Sequence, residues 1–359
     1  MQSNPAETSD KVKLKRRPTI EDLAEAANVS VATVDRVLNK RHPVREDTAR
    51  RVVEAAEHIG FYAHGLLQQR LDERIPARTF AFLLQRRDDF YRQFGTDLAA
   101  AVKSNSQIRG RAIVEFMEEL SPGLIVERLR AAGATSDAIG VVSFDHPYVN
   151  AEIEALKAKG VPVFALLADL STPARAGHLG LDGRKAGRTA AWSISRIAKE
   201  PGKVGILIGS HRYLNQEMAE ISFRTYLREH APAFVPLEPI VNLDDSRIAY
   251  EATLDLISAN PGLAGIYAAG GGMSGLIQAL REEAPADGPN RRMVVVCNEL
   301  IPDTRSALID GVIDLVIATP TALVSRRAVE AMIEALATGP SAGPRQVLLP
   351  AELYISENV

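Results

Sequence analysis

The chain has 359 residues, a single cysteine, 46% hydrophobic residues and a net charge of −3. That length supports more than one folded core, and one cysteine excludes a scaffold built on disulfides. No segment approaches the roughly 20 apolar residues of a membrane span, and the polar, then basic, start lacks the apolar run of a secretory leader. A soluble, cytoplasmic protein is therefore expected.

The charge is unevenly distributed. Residues Lys11 to Arg51 hold 11 basic and 6 acidic side chains, a net +5, whereas residues 1 to 10 carry −2 and the remainder −6. A basic head on a mildly acidic body suits phosphate contacts in one domain and a different role in the other. Residues 1 to 15 form a polar tail that is expected to be disordered.

Residues 18 to 39, PTIEDLAEAANVSVATVDRVLN, place a helix, a tight turn and a second helix in about twenty residues, the size of a helix-turn-helix that reads DNA. Thr19 can cap the first helix, with Asp22 as its capping-box partner. Ile20, Leu23, Ala24 and Ala27 give that helix an apolar face. Asn28 suits a left-handed helix end, Val29 plugs the gap between helices and Ser30 caps the next helix. In the second helix, Val31 to Asn39, Val34, Val37 and Leu38 face the first. Val31, Ala32, Asp35 and Arg36 are left outside, where small apolar groups can touch thymine methyls and an arginine can grip guanine. A third helix, from about Glu46 to Ile59, supplies Val52, Val53, Ala56 and Ile59 to complete a three-helix core.

The run from Arg17 to Phe61 resembles the headpiece of the lactose-repressor (LacI/GalR) family of transcription regulators. It carries the pattern T-I-x-D-L-A-x-x-A-x-V-S-x-A-T-V-x-R-V-L-N almost throughout, followed by Val44, Thr48, Val52, Ala55, Ala56, Gly60 and Phe61 in the third helix. The resemblance implies that Val31, Ala32 and Arg36 read bases, while Thr19, Ser30, Thr33 and Asn39 contact phosphates or cap. Asp35 stands where the family usually has serine; its carboxylate could accept from a cytosine amino group or hold Arg36. The family's hinge, a short helix whose leucine wedges into the minor groove, would fall at Tyr62 to Arg74. That stretch departs from the family pattern, with Ala63 and His64 in place of proline and asparagine. Leu67 and Leu71, four residues apart, are the candidate wedge residues. The implied domains are a headpiece at 16–61, a linker at 62–77 and an effector and dimerisation domain at 78–359.

From Arg78 onward, short apolar runs alternate with amphipathic helical patterns, the signature of parallel sheet flanked by helices. Candidate strands are Thr79–Leu84, Arg111–Phe116, Ala138–Ser143, Pro162–Leu167, Lys203–Ile208, Gly265–Tyr267, Met293–Val296 and Leu315–Ile317, most without alternation, as in strands covered on both faces. The fold class is α/β, and about 280 residues calls for two lobes. The resemblance extends to the two-lobed core of ribose-type periplasmic binding proteins, most clearly over DGVIDLVIATPTALVSRRAVEAMIEAL. It implies crossings near 177, 319 and 347, with lobe 1 at 78–177 and 320–346 and lobe 2 at 178–319 and 347–359.

Ligands of open parallel sheets bind beyond the carboxyl ends of the strands. The candidates there are Asp88, Phe90, Tyr91, Asp145, His146, Asp169, Asp182, His211, Arg212, Gln216, Glu217, Gly271, Asn298 and Glu299. Carboxylates, amides and aromatic faces suit a polyhydroxylated ligand. Against the family pattern, Ala219 replaces an arginine, Ala269 and Gly270 replace Asn-Asp, and Ala318 replaces a glutamine. Lost polar groups and added room point to a sugar derivative or a saccharide larger than a free pentose. The glycines would let a ligand approach backbone N–H groups at a helix start.

GGGMSG at 270–275 lacks the lysine and hydroxyl of a phosphate loop. Seven histidines are scattered without metal-ligand spacing, and Cys297, at the end of an apolar strand, reads as a small buried hydrophobe. Neither a cofactor nor a metal is expected, and no catalytic constellation is present, so an enzyme is not expected. The implied reading is a homodimeric repressor of carbohydrate catabolic genes on a pseudo-palindromic operator, under allosteric control by a sugar or sugar derivative. The alternative is a solute-binding protein with the same core and no regulatory role.

Overall fold

The computed structural model describes residues 17–39, 44–72, 75–85, 88–118, 121–283, 293–339 and 343–359; the expected tail at 1–15 lies outside them. Contacts divide the chain into a smaller unit formed chiefly by residues up to Ala77 and a larger unit holding most of the remainder.

The smaller unit comprises helices α1 (Ile20–Ala26), α2 (Val31–Asn39), α3 (Glu46–His58) and α4 (His64–Asp72). The first turn of α1 is fixed by a reciprocal capping box. Thr19 N–H donates to the Asp22 carboxylate at 2.7 Å, and Asp22 N–H donates to Thr19 Oγ1 at 3.3 Å. Asn28 takes φ = 51°, so the chain reverses with a residue that tolerates the left-handed region. Leu23, Val34, Val52, Ala56 and Phe61 close a single small core.

One expectation changes here. Leu67 is 0% exposed and packs in this same core with Phe61. The segment expected to hold the hinge helix forms α4, docked on α3. Burying a leucine yields roughly 1.5–3 kcal/mol, more than an exposed wedge would retain. The side chain of Leu71 lies outside the described residues.

The larger unit contains two sheets. The first lobe is built from β1 (Ala77–Gln85), α5 (Asp89–Ser104), β2 (Arg109–Met117), α6 (Pro122–Gly133), β3 (Ala138–Val141), α7 (Pro147–Ala158), β4 (Val163–Leu166) and β5 (Gly177–Leu181). The second continues with α8 (Gly183–Ile197), β6 (Lys203–Ile208), α9 (Leu214–His230), β7 (Val235–Pro236), β8 (Ile240–Val241), α10 (Ser246–Ala259), β9 (Gly265–Ala268), α11 (Met273–Glu282), β10 (Val294–Asn298), α12 (Pro302–Ile309) and β11 (Leu315–Ala318). The chain then returns through α13 (Thr321–Thr338) and β12 (Arg345–Leu349) to the first sheet and ends with β13 (Glu352–Tyr354) in the second.

The strand orders are β12-β5-β4-β3-β1-β2 and β13-β11-β10-β9-β6-β7, with β8 also on β6. Pairing is parallel at β1/β3, β3/β4, β4/β5, β5/β12, β6/β9, β9/β10 and β10/β11, and antiparallel at β11/β13. All eight candidate strands are present. β5 and β12 belong wholly to the first sheet, which moves two crossings from 177 and 347 to just past Leu181 and Leu349. The β5/β12 pairing is long-range, so no local pattern marked where β12 joins the sheet.

The second sheet is covered on both faces. Ala190, Ile194, Phe223 and Tyr267 pack on the α8/α9 side. Leu276, Ile277, Val295 and Leu308 pack on the other, together with Cys297, which is 0% exposed. Burial also holds the Cys297 thiol above its ordinary range, consistent with a core residue. No helix among the described residues is long and apolar enough to cross a membrane.

Candidate functional site

Two sites emerge, one in each unit. In the headpiece, α2 divides as its spacing requires. Val34 and Val37 are buried in the core, whereas Val31 is 46% exposed and Ala32 and Arg36 are also exposed. Ser30 Oγ accepts from Thr33 N–H at 3.2 Å and shares a 2.9 Å hydrogen bond with the Thr33 hydroxyl, so both residues brace the start of the helix. Asp35 does not hold Arg36. Its carboxylate accepts from Asn39 Nδ2 at 2.6 Å one turn along, fixing two polar side chains of the outer face relative to each other.

In the larger unit, backbone strain marks the site. Every non-glycine residue with positive φ among the described part of this unit follows a strand: Leu167 (63°), Leu243 (55°), Asp244 (54°) and Glu299 (67°). Such positions cost about 1–3 kcal/mol each and persist where surrounding structure fixes them. Two of them, Leu167 and Glu299, line one small cavity.

Tyr91 lies in the first turn of α5. Burial above all, then the Asp244 carboxylate, with further contributions from Tyr213, Asp88 and Glu299, holds its phenol well above the ordinary range. Asp88 also caps α5, accepting from Tyr91 N–H at 2.9 Å. Glu299 accepts from the Thr319 hydroxyl at 2.6 Å and from its N–H at 3.0 Å. Burial outweighs these bonds and raises its carboxyl to about 7. Gln216, Asn298 and Glu299 line a cavity of about 40 Å³ together with Asn215, Ala219 and Thr319. The space is the size of a water molecule or two, too small for a sugar as it stands.

A clasp joins the two lobes. Tyr213, which precedes α9 in the second lobe, is 6% exposed and packs within the core cluster of the first lobe. Its hydroxyl accepts from Gln85 Nε2 at 2.9 Å, and its ring meets Phe144 edge to face at 6.3 Å. Next to it, the Arg212 carbonyl accepts from Asp145 N–H at 3.0 Å, and the Arg212 guanidinium lies 5.9 Å from the centre of the Phe144 ring.

The remaining candidates separate by their partners. Asp145 is tied to Ser171 N–H at 2.8 Å, the Ser171 hydroxyl at 2.9 Å and Asn150 at 3.1 Å. Burial works against its charge, but these bonds win and lower its pKa. His146 caps α7 through Nδ1. Asp169 pairs with Arg175 at 2.7 Å. Asp182 caps α8 and lines a separate pocket with Leu348 and Leu349. Phe90 faces a groove of about 690 Å³ lined also by Arg92, Arg305 and Arg326. His211 is exposed and Glu217 half-buried.

Gly271 departs from its expected role. Its N–H donates to Asp244 Oδ1 at 2.5 Å and its carbonyl accepts from Asn242 at 2.8 Å. A Cβ at Gly270 or Gly271 would lie 3.0 Å from Asp244 Oδ1. The glycines thus admit an internal carboxylate, and the Gly271 N–H that was to meet a ligand is already engaged.

Sequence reasoning missed Gln85, Tyr213, Asn215 and Asp244. Gln85 ends the first strand, where a polar residue in an apolar run was a usable signal. Asp244 follows β8, only two residues long, which leaves no pattern to place it.

Residues 19–63 match the model for bacterial regulatory proteins of the lacI family, and residues 124–340, more than half of the chain, match the periplasmic binding protein domain. Comparison with curated proteins gives no match. Among solved structures, GanP, a glucose-galactose binding protein from Geobacillus stearothermophilus, is 17% identical with a TM-score of 0.70, covering 79% of this chain and 99% of its own. An ABC transporter solute binding protein from Agrobacterium vitis, bound with alpha-D-tagatopyranose, is 19% identical with a TM-score of 0.70 and coverage of 79% and 95%. One from Actinobacillus succinogenes with bound D-allose is 18% identical with a TM-score of 0.67 and coverage of 78% and 98%. At these identities the likeness is one of fold.

Proposed function

Since the chain belongs to the lacI family of bacterial regulatory proteins and carries a periplasmic binding protein domain, we propose that it is a cytoplasmic, homodimeric repressor of carbohydrate catabolic genes, released or engaged by a sugar-type effector. The observation that carries this reading is the division of α2, with Val34 and Val37 buried and Val31, Ala32 and Arg36 exposed on a capped helix. Only the outer face can touch base edges, and its chemistry fits thymine methyls and guanine. Two such headpieces related by a two-fold axis would read a pseudo-palindrome.

The effector would bind between the lobes against Asp88, Tyr91, Gln216, Asn298 and Glu299, with Asp244 added to the set. The neighbours named above are a glucose-galactose binding protein and two solute-binding proteins holding tagatose and allose, and the polar, partly aromatic lining supports the same class here. Entry requires Tyr213 to leave Gln85, so ligand and clasp compete for the relation of the lobes. An effector acts on DNA binding only through its different affinity for the two arrangements, typically about 1–3 kcal/mol.

The test is a mobility-shift titration on duplexes selected by the full-length protein, repeated with a panel of sugars and alditols. Retarded complexes that respond to one class of sugar support the reading. Absence of any sequence-preferring retardation, with sugar binding retained, favours a solute-binding protein instead.

A further inference from the structure

The groove beside Pro320, where the chain returns to the first lobe, carries a more specific statement about the effector, one that rests on the proposal that a polyhydroxylated ligand binds in the cleft. It measures about 690 Å³ and is lined by arginines from three elements: Arg92 of α5, Arg305 of α12 and Arg326 of α13. Helices α5 and α13 pack on each other in the first lobe, whereas α12 buries Ala307 and Leu308 against the second sheet. Both lobes therefore supply walls of the groove, and both supply guanidiniums.

The acidic side chains that share this space are engaged. Asp89 pairs with Arg92, Glu352 accepts from the Tyr354 hydroxyl at 2.8 Å, and Glu299 accepts twice from Thr319. None of these bonds uses Arg305 or Arg326, and both of those arginines are exposed. The first turns of α12 and α13 line the same groove through Pro302 and Thr321, and α13 begins without a side-chain cap. The field at both helix starts thus has the same sign as the guanidiniums.

The groove also continues into the cleft. Glu299 and Thr319 line both it and the cavity of about 40 Å³, and Phe90 lines the groove. A ligand anchored in the groove has hydroxyl partners at Glu299 and an apolar ring at Phe90.

Guanidinium forks match the oxygens of a carboxylate or a phosphate. We propose that the effector is an acidic carbohydrate, a sugar acid or sugar phosphate, whose anionic group is held by Arg305 and Arg326 while its hydroxyls reach Glu299. Because the two arginines stand on different lobes, the anion joins them, which gives the effector a different affinity for the two lobe arrangements.

The experiment is calorimetry on the full-length protein with matched probes: glucose against glucose 6-phosphate, glucitol against gluconate, and inorganic phosphate as an anion without hydroxyls. At least one acidic probe should bind about tenfold or more tightly than its neutral match, as a charged hydrogen bond implies. The pair that responds distinguishes phosphate from carboxylate. Arg305→Gln and Arg326→Gln should each remove most of that preference. Arg305→Lys and Arg326→Lys, which keep the charge but not the fork, should lose less, and they carry the comparison if a glutamine variant folds poorly. Arg327→Gln, the next residue of α13, is paired with Glu330 at 2.8 Å and lies outside the groove lining, so it should leave the preference unchanged. Neutral probes binding as tightly as their acids, a preference unchanged in either glutamine variant, or an equal loss in Arg327→Gln overturns the proposal and leaves the carbohydrate reading intact. Inorganic phosphate binding as tightly as the best carbohydrate overturns the carbohydrate reading itself, and binding of no probe overturns both.

Discussion

The headpiece and the cleft are both built from polar groups set on an apolar frame, yet they are assembled in opposite ways. The exposed face of α2 comes from nine consecutive residues, and the headpiece's capping and polar bonds are local: Thr19 with Asp22, Ser30 with Thr33, Asp35 with Asn39. The cleft joins groups as distant as Gln85 and Tyr213, 128 positions apart, or Gly271 and Asp244, 27 apart. A local site can be presented by a small, marginal unit. A site made of long-range contacts needs two complete lobes, and its polar groups already hold one another before a ligand enters.

That contrast can be broken most forcefully at Leu67. If it is a core residue of the headpiece, Leu67→Ala should cost about 2–5 kcal/mol and lower the denaturant midpoint of the headpiece, followed by amide exchange, while the larger unit keeps its own. An unchanged headpiece with a lost DNA bend would return Leu67 to the wedge role.

Glu299 sharpens the other half. Its carboxyl titrates near 7 in the fold against an ordinary value of 4.5, so the folded chain keeps a proton that the unfolded chain has lost. Its contribution is fully present below about 4.5 and disappears as pH rises through about 7. Glu299→Gln should flatten that dependence and, relative to the natural chain, gain roughly 1–3 kcal/mol between pH 5 and pH 8. Thermal melts of both proteins across that range, with equal slopes, would remove Glu299 from the account.

A change of similar size is expected at the clasp. Tyr213→Phe removes the acceptor for Gln85 Nε2 and leaves a buried donor unmatched, at about 1–3 kcal/mol. Small-angle scattering should show a larger mean radius, and an added sugar should bind more readily. An unchanged radius would mean that apolar packing against Phe144 suffices to hold the lobes.

These differences also explain what the sequence disclosed. The three headpiece helices and all eight candidate strands were legible because helix caps and unbroken apolar runs are local signals. The strand β12 was not, since its pairing partner β5 lies more than 160 residues away. Tyr91 and Glu299 could be placed beyond strand ends by position alone. That Asp182 and His146 cap helices could not be separated from ligand contact, because a carboxylate or imidazole suits either task. Asp244, which organises the glycine turn, follows a strand too short to leave a pattern.

The central claim is that the exposed face of α2 reads DNA as part of a symmetric pair. The most direct measurement is selection from random duplexes by the full-length protein, run in parallel with Arg36→Ala. A pseudo-palindromic consensus with two equivalent half-sites is expected. The variant should lose preference at one position per half-site, a change worth about 1–3 kcal/mol. An asymmetric or absent consensus, or one that Arg36→Ala leaves intact, would contradict it.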